Sequence, residues 1–195
     1  MSQAEQEIKE VIELALEKFS EAKAHQIGFA AMYAQKSHQG QSRLDGEEFI
    51  MHPLRVAKKL LRLRDSRVDD VTIIAALLHD VVEDTNKTLQ TIQMQFGRDV
   101  SGIVDALTKK PGQNQEETDE TYFQQIRQAA KKDSRVGLIK VCDQIDNSQD
   151  MSVYSAKIKK QRLSHLKDVF IPLAQQLEND TLIQELTAAY ESHQE

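Results

Sequence analysis

A chain of 195 residues with a net charge of −6, 39% hydrophobic and 29% charged, is long enough to bury a full core and too apolar to be disordered. The acidic balance argues against a general nucleic-acid binder, which needs basic surface, and no apolar run approaches the roughly 20 residues of a membrane span. The N-terminus has no signal-peptide core, and the single cysteine, Cys142, lies in an apolar stretch that reads as a buried thiol in a reducing compartment, so the cytoplasm is expected.

With only 7 glycines and 3 prolines, and no long apolar–polar alternation, the chain is predicted to be an all-α helical bundle. Ser2-x-x-Glu5 is a capping-box pattern, and Ile8, Val11, Ile12, Ala15 and Phe19 follow as an apolar stripe. The helical pattern resumes through Phe29, Ala30 and Tyr33 and stops at His38-Gln39-Gly40. Residues 41–51 read as a loop or short hairpin turning at Asp45-Gly46, and Pro53 suits the first turn of the next helix. On that helix Arg55, Lys58, Lys59 and Arg62 share one face, followed by Arg64 and Arg67. They read as a solvated face opposite Leu54, Ala57 and Leu61, or as a positive field for a small polyanion. Asp69, Asp70 and Thr72 open a helix that ends at His79-Asp80. Thr88 caps one that stops at Phe96-Gly97, and another runs to Thr108. Lys109 to Glu117, with Pro111-Gly112, is the most loop-like interior stretch. Helices restart at Thr118 and Ser134, Pro172 predicts a kink, and Asn179-Asp180 precedes a last helix through Tyr190.

The chemistry concentrates in His79-Asp80-Val81-Val82-Glu83-Asp84, directly after the apolar run Ile73–Leu78. Charges beside a core are costly unless paired or metal-bound. In a helical segment Glu83 lies one turn from His79, and Asp84 one turn from Asp80, so an imidazole and three carboxylates can surround one point. The plain alternative is a helix end fraying into an acidic, solvated turn. Asp143 stands in the apolar stretch of Ser134–Gln149, where a buried carboxylate needs a metal, several hydrogen bonds, or a cation from another helix. His52 gains meaning beside His79, Asp80 and Asp143. Two imidazoles and two carboxylates suit Mn²⁺, Fe²⁺ or Zn²⁺ and are poor for Ca²⁺.

Taken in order, these pieces resemble the HD-type alarmone hydrolases: the hydrolase half of RelA/SpoT proteins and especially the stand-alone small alarmone hydrolases. The matching pieces are His38-Gln39-Gly40-Gln41-Ser42-Arg43, Asp45-Gly46-Glu47, His52-Pro53-Leu54-Arg55-Val56-Ala57 and Ala75 to Thr85 around His79-Asp80. Phe96-Gly97, Val104 to Lys109, and Leu138 to Asp143 with Asn147 follow. The match covers about residues 29–150, with residues 1–25 as an N-terminal helical extension and 26–195 as a single HD hydrolase domain. The resemblance implies that His52, His79, Asp80 and Asp143 bind one Mn²⁺, that Glu83 and Asp84 are the catalytic carboxylates, that Arg43 stacks on the base and that Asn147 contacts the nucleotide. It implies cleavage of the 3′-pyrophosphate from guanosine tetra- or pentaphosphate, leaving GDP or GTP and pyrophosphate.

Three positions depart from the family pattern. Leu44 replaces a second basic residue, Asp146 replaces the usual histidine or aromatic residue, and no arginine follows Asn147. The metal and carboxylate set is intact while nucleotide-facing positions change, so weaker guanine selectivity is expected. The metal is expected to acidify water and polarise a phosphate oxygen, with Glu83 and Asp84 orienting that water or taking its proton. Arg43, Lys36, Lys109 and Lys140 are expected to supply a local positive field. No synthetase or regulatory domain fits in the remaining residues, which predicts a dedicated hydrolase. The rival enzyme is an HD phosphohydrolase acting on an adenosine alarmone, a dNTP or NADPH. The rival from another class is a non-catalytic metal- and nucleotide-binding module, which would have no need of Glu83 and Asp84.

Overall fold

The first helix begins where its capping box places it: Ser2 Oγ accepts the Glu5 N–H at 3.2 Å, and Glu5 accepts the Ser2 N–H at 2.6 Å. The computed structural model describes residues 2–110, 115–149 and 151–193. The chain divides into two compact units, Met1–Pro111 and Gly112–Glu195. Among the described residues every regular element is a helix, and an isolated antiparallel bridge joins Ser42 to Glu48. None of these helices is long and apolar enough to cross a membrane.

In the first unit α1 (Gln3–Lys18) buries Ala4, Ile8, Val11 and Ala15, and Phe19 ends it in extended conformation. The helix α2 (Glu21–Ser37) packs against α1. Gly28 lies at this approach, since a Cβ there would meet the Ile12 side chain at 2.8 Å. The turn before α3 (Met51–Arg62) is the predicted hairpin: the Arg43 N–H donates to the Glu47 carbonyl at 2.8 Å, and the Gly46 N–H to the Arg43 carbonyl at 3.0 Å. Arg55 on α3 anchors it by donating to both Glu47 carboxylate oxygens at 2.8 Å.

The basic face of α3 is neutralised by ion pairs. Lys58 binds Glu7 and Glu10 of α1, and Arg62 reaches Glu10 at 2.5 Å. The cluster therefore joins α3 to α1 and is not a free positive field.

The next helix, α4 (Asp70–Leu78), is capped by Asp69, whose Oδ1 accepts the Thr72 N–H at 2.8 Å. Its residues Ile73 to Leu78 are all buried, because α2, α3 and α6 pack around it. Each large aliphatic side chain removed from water there contributes about 1.5–3 kcal/mol. That burial fixes the end of α4, and with it His79. The chain then makes one further turn, α5 (Val81–Asp84). The helix α6 (Leu89–Leu107) is two arms meeting at Gly97, which has φ 88° and ψ 173°, and so the break predicted at Phe96-Gly97 is present.

The second unit contains α7 (Gln115–Lys132), α8 (Ser134–Asn147), α9 (Ala156–His165), α10 (Ile171–Gln176) and α11 (Asp180–Ser192). The predicted turn at Pro111-Gly112 lies outside the described residues. The predicted kink is a π-helical turn, Leu166–Phe170, which ends two residues before Pro172. Proline lacks the N–H that would bond the Asp168 carbonyl, and Arg127 Nη2 donates to that carbonyl at 3.1 Å. Asn179 caps α11 by accepting the Leu182 N–H at 3.1 Å. Cys142 is a buried thiol, as expected.

Candidate metal and catalytic site

The end of α4 would leave carbonyls without intrahelical partners. One of them, that of Ala76, accepts from His79 Nδ1 at 2.8 Å. A carbonyl only accepts, so Nδ1 carries a proton, and in the neutral imidazole Nε2 carries the lone pair. That Nε2 lies 3.2 Å from Asp80 Oδ2, and His52 Nε2, brought in by the first turn of α3, lies 3.7 Å from the same oxygen. The two imidazoles meet edge to face with centroids 5.2 Å apart, both nearly fully buried. Ligand atoms of His52, His79 and Asp80 all lie within 4.8 Å of one another. A lone-pair nitrogen facing a carboxylate oxygen is repulsive unless a cation sits between them, and the carbonyl end of α4 favours positive charge as well. Two nitrogens and one oxygen, oriented by a backbone acceptor, fit a divalent metal of the first transition row.

The one-turn helix α5 places Glu83 and Asp84 beside this cluster. The Asp84 N–H donates to the Asp80 carbonyl at 2.9 Å, which realises the one-turn relation between these residues. Glu83 Oε2 accepts the Lys109 main-chain N–H at 2.7 Å. Protein packed around the Asp84 carboxyl, then the charges of Asp80 and Glu83, push its pKa up to about 6, although the residue's surface is exposed.

Two residues whose roles the sequence did not disclose complete this site. Gln41 Nε2 donates to the Asp84 carbonyl at 2.7 Å, and Gln41 Oε1 faces His38 Nδ1 at 2.8 Å. His38 is buried and stacks on Phe49 with centroids 4.5 Å apart, and Phe49 in turn meets His52 edge to face. The motif His38-x-x-Gln41 before Arg43 was the available signal, but its spacing gave no hint of the residues it reaches.

The other predicted site residues are distributed as follows. Arg43 is half-buried on the hairpin. Lys36 is exposed on the last turn of α2, at a cleft of about 430 Å³ shared with His38, Gln41 and Phe49. Lys109 meets the site through its main chain, as the Glu83 donor.

Asp143, Lys140 and Asn147 belong to the second unit, on α8. Asp143 is buried, with Lys140 Nζ 2.7 Å from Oδ2, Gln144 Nε2 donating to Oδ2 at 3.0 Å and Asn147 Nδ2 donating to Oδ1 at 2.5 Å. One cation that meets Asp143 thus comes from its own helix, at i−3. Burial alone would push the Lys140 ammonium down, but Asp143 and Tyr122 together more than offset this and hold it above its ordinary value. Lys140 also lies over the Tyr122 ring, 5.0 Å from its centroid.

Residues 30–179 match the HD domain family model. The chain belongs to the HD domain family. The match runs past residue 150, beyond the stretch where the resemblance was legible in the sequence.

Its relatives include the guanosine-3′,5′-bis(diphosphate) 3′-pyrophosphohydrolase of Aquifex aeolicus, 35% identical over 154 residues that make up 79% of this chain and 22% of the relative. The GTP pyrophosphokinase of Myxococcus xanthus is 34% identical, over 76% of this chain and 20% of the relative. The bifunctional (p)ppGpp synthase/hydrolase SpoT of Escherichia coli is 32% identical, over 76% of this chain and 21% of the relative. The chain thus spans about a fifth of the length of these curated relatives.

Among solved structures it is similar to one described as "A metazoan ortholog of SpoT hydrolyzes ppGpp and plays a role in starvation responses". The TM-score is 0.73 at 26% identity, covering 87% of this chain and 96% of that one. The resemblance drawn from the motifs is thus supported by sequence and by fold.

Proposed function

We propose that this protein is an Mn²⁺-dependent cytoplasmic hydrolase, with residues 26–195 as the hydrolase domain. It removes the 3′-pyrophosphate of guanosine tetra- or pentaphosphate to give GDP or GTP and pyrophosphate. The observation that carries this reading is the Glu83–Asp84 turn beside the His52, His79 and Asp80 cluster. The names borne by the relatives and the structural neighbour point the same way.

A divalent ion held by His52, His79 and Asp80 supplies Lewis acidity, acidifying water and offsetting charge on phosphate oxygens. The family pattern adds Asp143 as a fourth ligand. Glu83, its carboxylate held by the Lys109 amide, orients the attacking water. Asp84, on the same turn, accepts the proton of that water and returns it. Arg43 stacks on the purine, Asn147 contacts the nucleotide, and Lys36, Lys109 and Lys140 add positive field. The presence of both carboxylates argues against a module that only binds.

The deciding experiment is product analysis with Mn²⁺-loaded protein and a panel of nucleotides. Guanosine tetraphosphate should yield GDP and intact pyrophosphate, and ¹⁸O-labelled water should place the attack on the 3′-proximal or the terminal phosphorus. Orthophosphate as first product, or faster turnover of dNTPs, NADPH or an adenosine alarmone, would assign the site to another HD phosphohydrolase reaction.

A further inference from the structure

The amide of Gln41 has its orientation fixed by what it meets. The Asp84 carbonyl can only accept, so the end of Gln41 that lies 2.7 Å from it is the NH₂ group. The amide oxygen then faces His38 Nδ1 at 2.8 Å, which makes that nitrogen the protonated one and Nε2 the lone-pair one. His38 is 3% exposed, and its Nε2 meets no hydrogen-bond partner among the described residues. Burial holds the ring below its ordinary pKa, with Gln41 and Asp80 only partly opposing, and the neutral form is the one this geometry requires.

A buried neutral imidazole and a half-buried amide are a costly way to fill space, since polar atoms taken from water must be satisfied. Their geometry gives them a different role. Through Gln41, His38 is joined to the turn that carries Glu83 and Asp84, although 43 residues separate Gln41 from Asp84. Through the stacked Phe49 ring, the same imidazole is joined to His52, with centroids 4.5 and 6.3 Å apart along the chain of rings. The two halves of the site, carboxylates and metal-facing histidines, are thus tied to one side chain.

We propose that His38 and Gln41 are positioning residues of the hydrolysis, holding the Glu83–Asp84 turn in register with the His52, His79 and Asp80 cluster through the His38–Gln41–Asp84 hydrogen-bond chain and the His38–Phe49–His52 stack. Neither residue touches substrate or metal in this role. The proposal rests on the hydrolase reading above and deepens it.

The test pairs kinetics with a measurement that needs no substrate. In Mn²⁺-loaded protein, Gln41→Leu and His38→Ala should each lower kcat by about 10- to 100-fold, while KM and bound Mn²⁺ per chain stay within about twofold. His38→Asn, whose amide nitrogen can stand in for Nδ1–H, should recover most of the loss, and the double variant should be no worse than the poorer single one. Hydrogen exchange at the Asp84 amide, bonded to the Asp80 carbonyl, should speed up by about tenfold in Gln41→Leu. If Gln41→Leu does not fold, Gln41→Glu serves, since it keeps the acceptor for His38 and loses the donor to Asp84. Wild-type kcat in both single variants, losses that multiply in the double variant, or unchanged exchange at Asp84 would overturn the proposal. A wild-type protein inactive on guanosine tetraphosphate would instead overturn the hydrolase reading, and the exchange result would still decide whether the strut exists.

Discussion

Glu83 accepts the main-chain N–H of Lys109 at 2.7 Å, so a carboxylate on an exposed single turn is held by the chain that leaves α6. Glu83→Gln preserves the volume, and its amide oxygen can still accept from Lys109, but the negative charge is lost. Turnover should fall by about 100-fold or more with metal content unchanged. Single-turnover kinetics with metal analysis measure both, and near-normal turnover in both Glu83→Gln and Asp84→Asn would mean that neither carboxylate activates water.

Asp80 Oδ2 lies near both His52 Nε2 and His79 Nε2, so Asp80→Ala removes the anionic member of the cluster. Metal affinity should fall by at least about 10- to 100-fold, and the thermal stabilisation that Mn²⁺ gives the wild type should vanish. Chelation of the wild type should abolish activity, with Mn²⁺ restoring it better than Zn²⁺ or Mg²⁺. Elemental analysis that finds active protein without metal would reject this.

The raised pKa of Asp84 makes a prediction with a definite sign. Its ordinary value is 3.8 and its folded value about 6, so between these the folded metal-free protein binds more protons than the unfolded chain. Stability contributed by this group is therefore lost as pH rises through that window. In chelated protein, Asp84→Asn should match the wild-type Tm near pH 4 and exceed it above pH 6. Adding Mn²⁺ should shrink the gap, because a nearby cation favours the carboxylate.

The Arg43 main chain closes the hairpin, and those main-chain hydrogen bonds survive replacement of its side chain by alanine. Arg43→Ala should leave Tm nearly unchanged and raise KM for both guanosine and adenosine tetraphosphates, since stacking of a guanidinium tolerates either purine. An unchanged KM for both would place the base elsewhere.

Gly97 occupies a backbone region, φ 88° and ψ 173°, that side chains rarely adopt, while a Cβ there would meet nothing within 4 Å. Gly97→Ala should destabilise through backbone strain alone, by about 1–3 kcal/mol in chemical denaturation. Wild-type stability would mean that the two arms of α6 can join without the break.

Much of this protein was legible in the sequence because the physics concerned is local. The Ser2–Glu5 box, the Asp69 and Asn179 caps and the break at Gly97 act within one helical turn. The apolar run Ile73–Leu78 read as core, and the charges directly after it read as paired or metal-bound, or as a frayed acidic turn. What only the tertiary structure decided lies between residues far apart in the chain. The basic face of α3 read as a solvated face or as a field for a polyanion, and the fold instead sets Glu7 and Glu10 of α1 against Lys58, 51 and 48 residues away. Lys140 and Lys109 read as sources of positive field, and the fold adds that Lys140 pairs with Asp143 and that the Lys109 amide holds Glu83. His38 and Gln41 were motif letters until the fold set one against Phe49 and the other against the Asp84 carbonyl. Helical periodicity says which side of a helix faces inward, but the partner that a polar group meets there, and hence its proton and its charge, is set by which helices pack together.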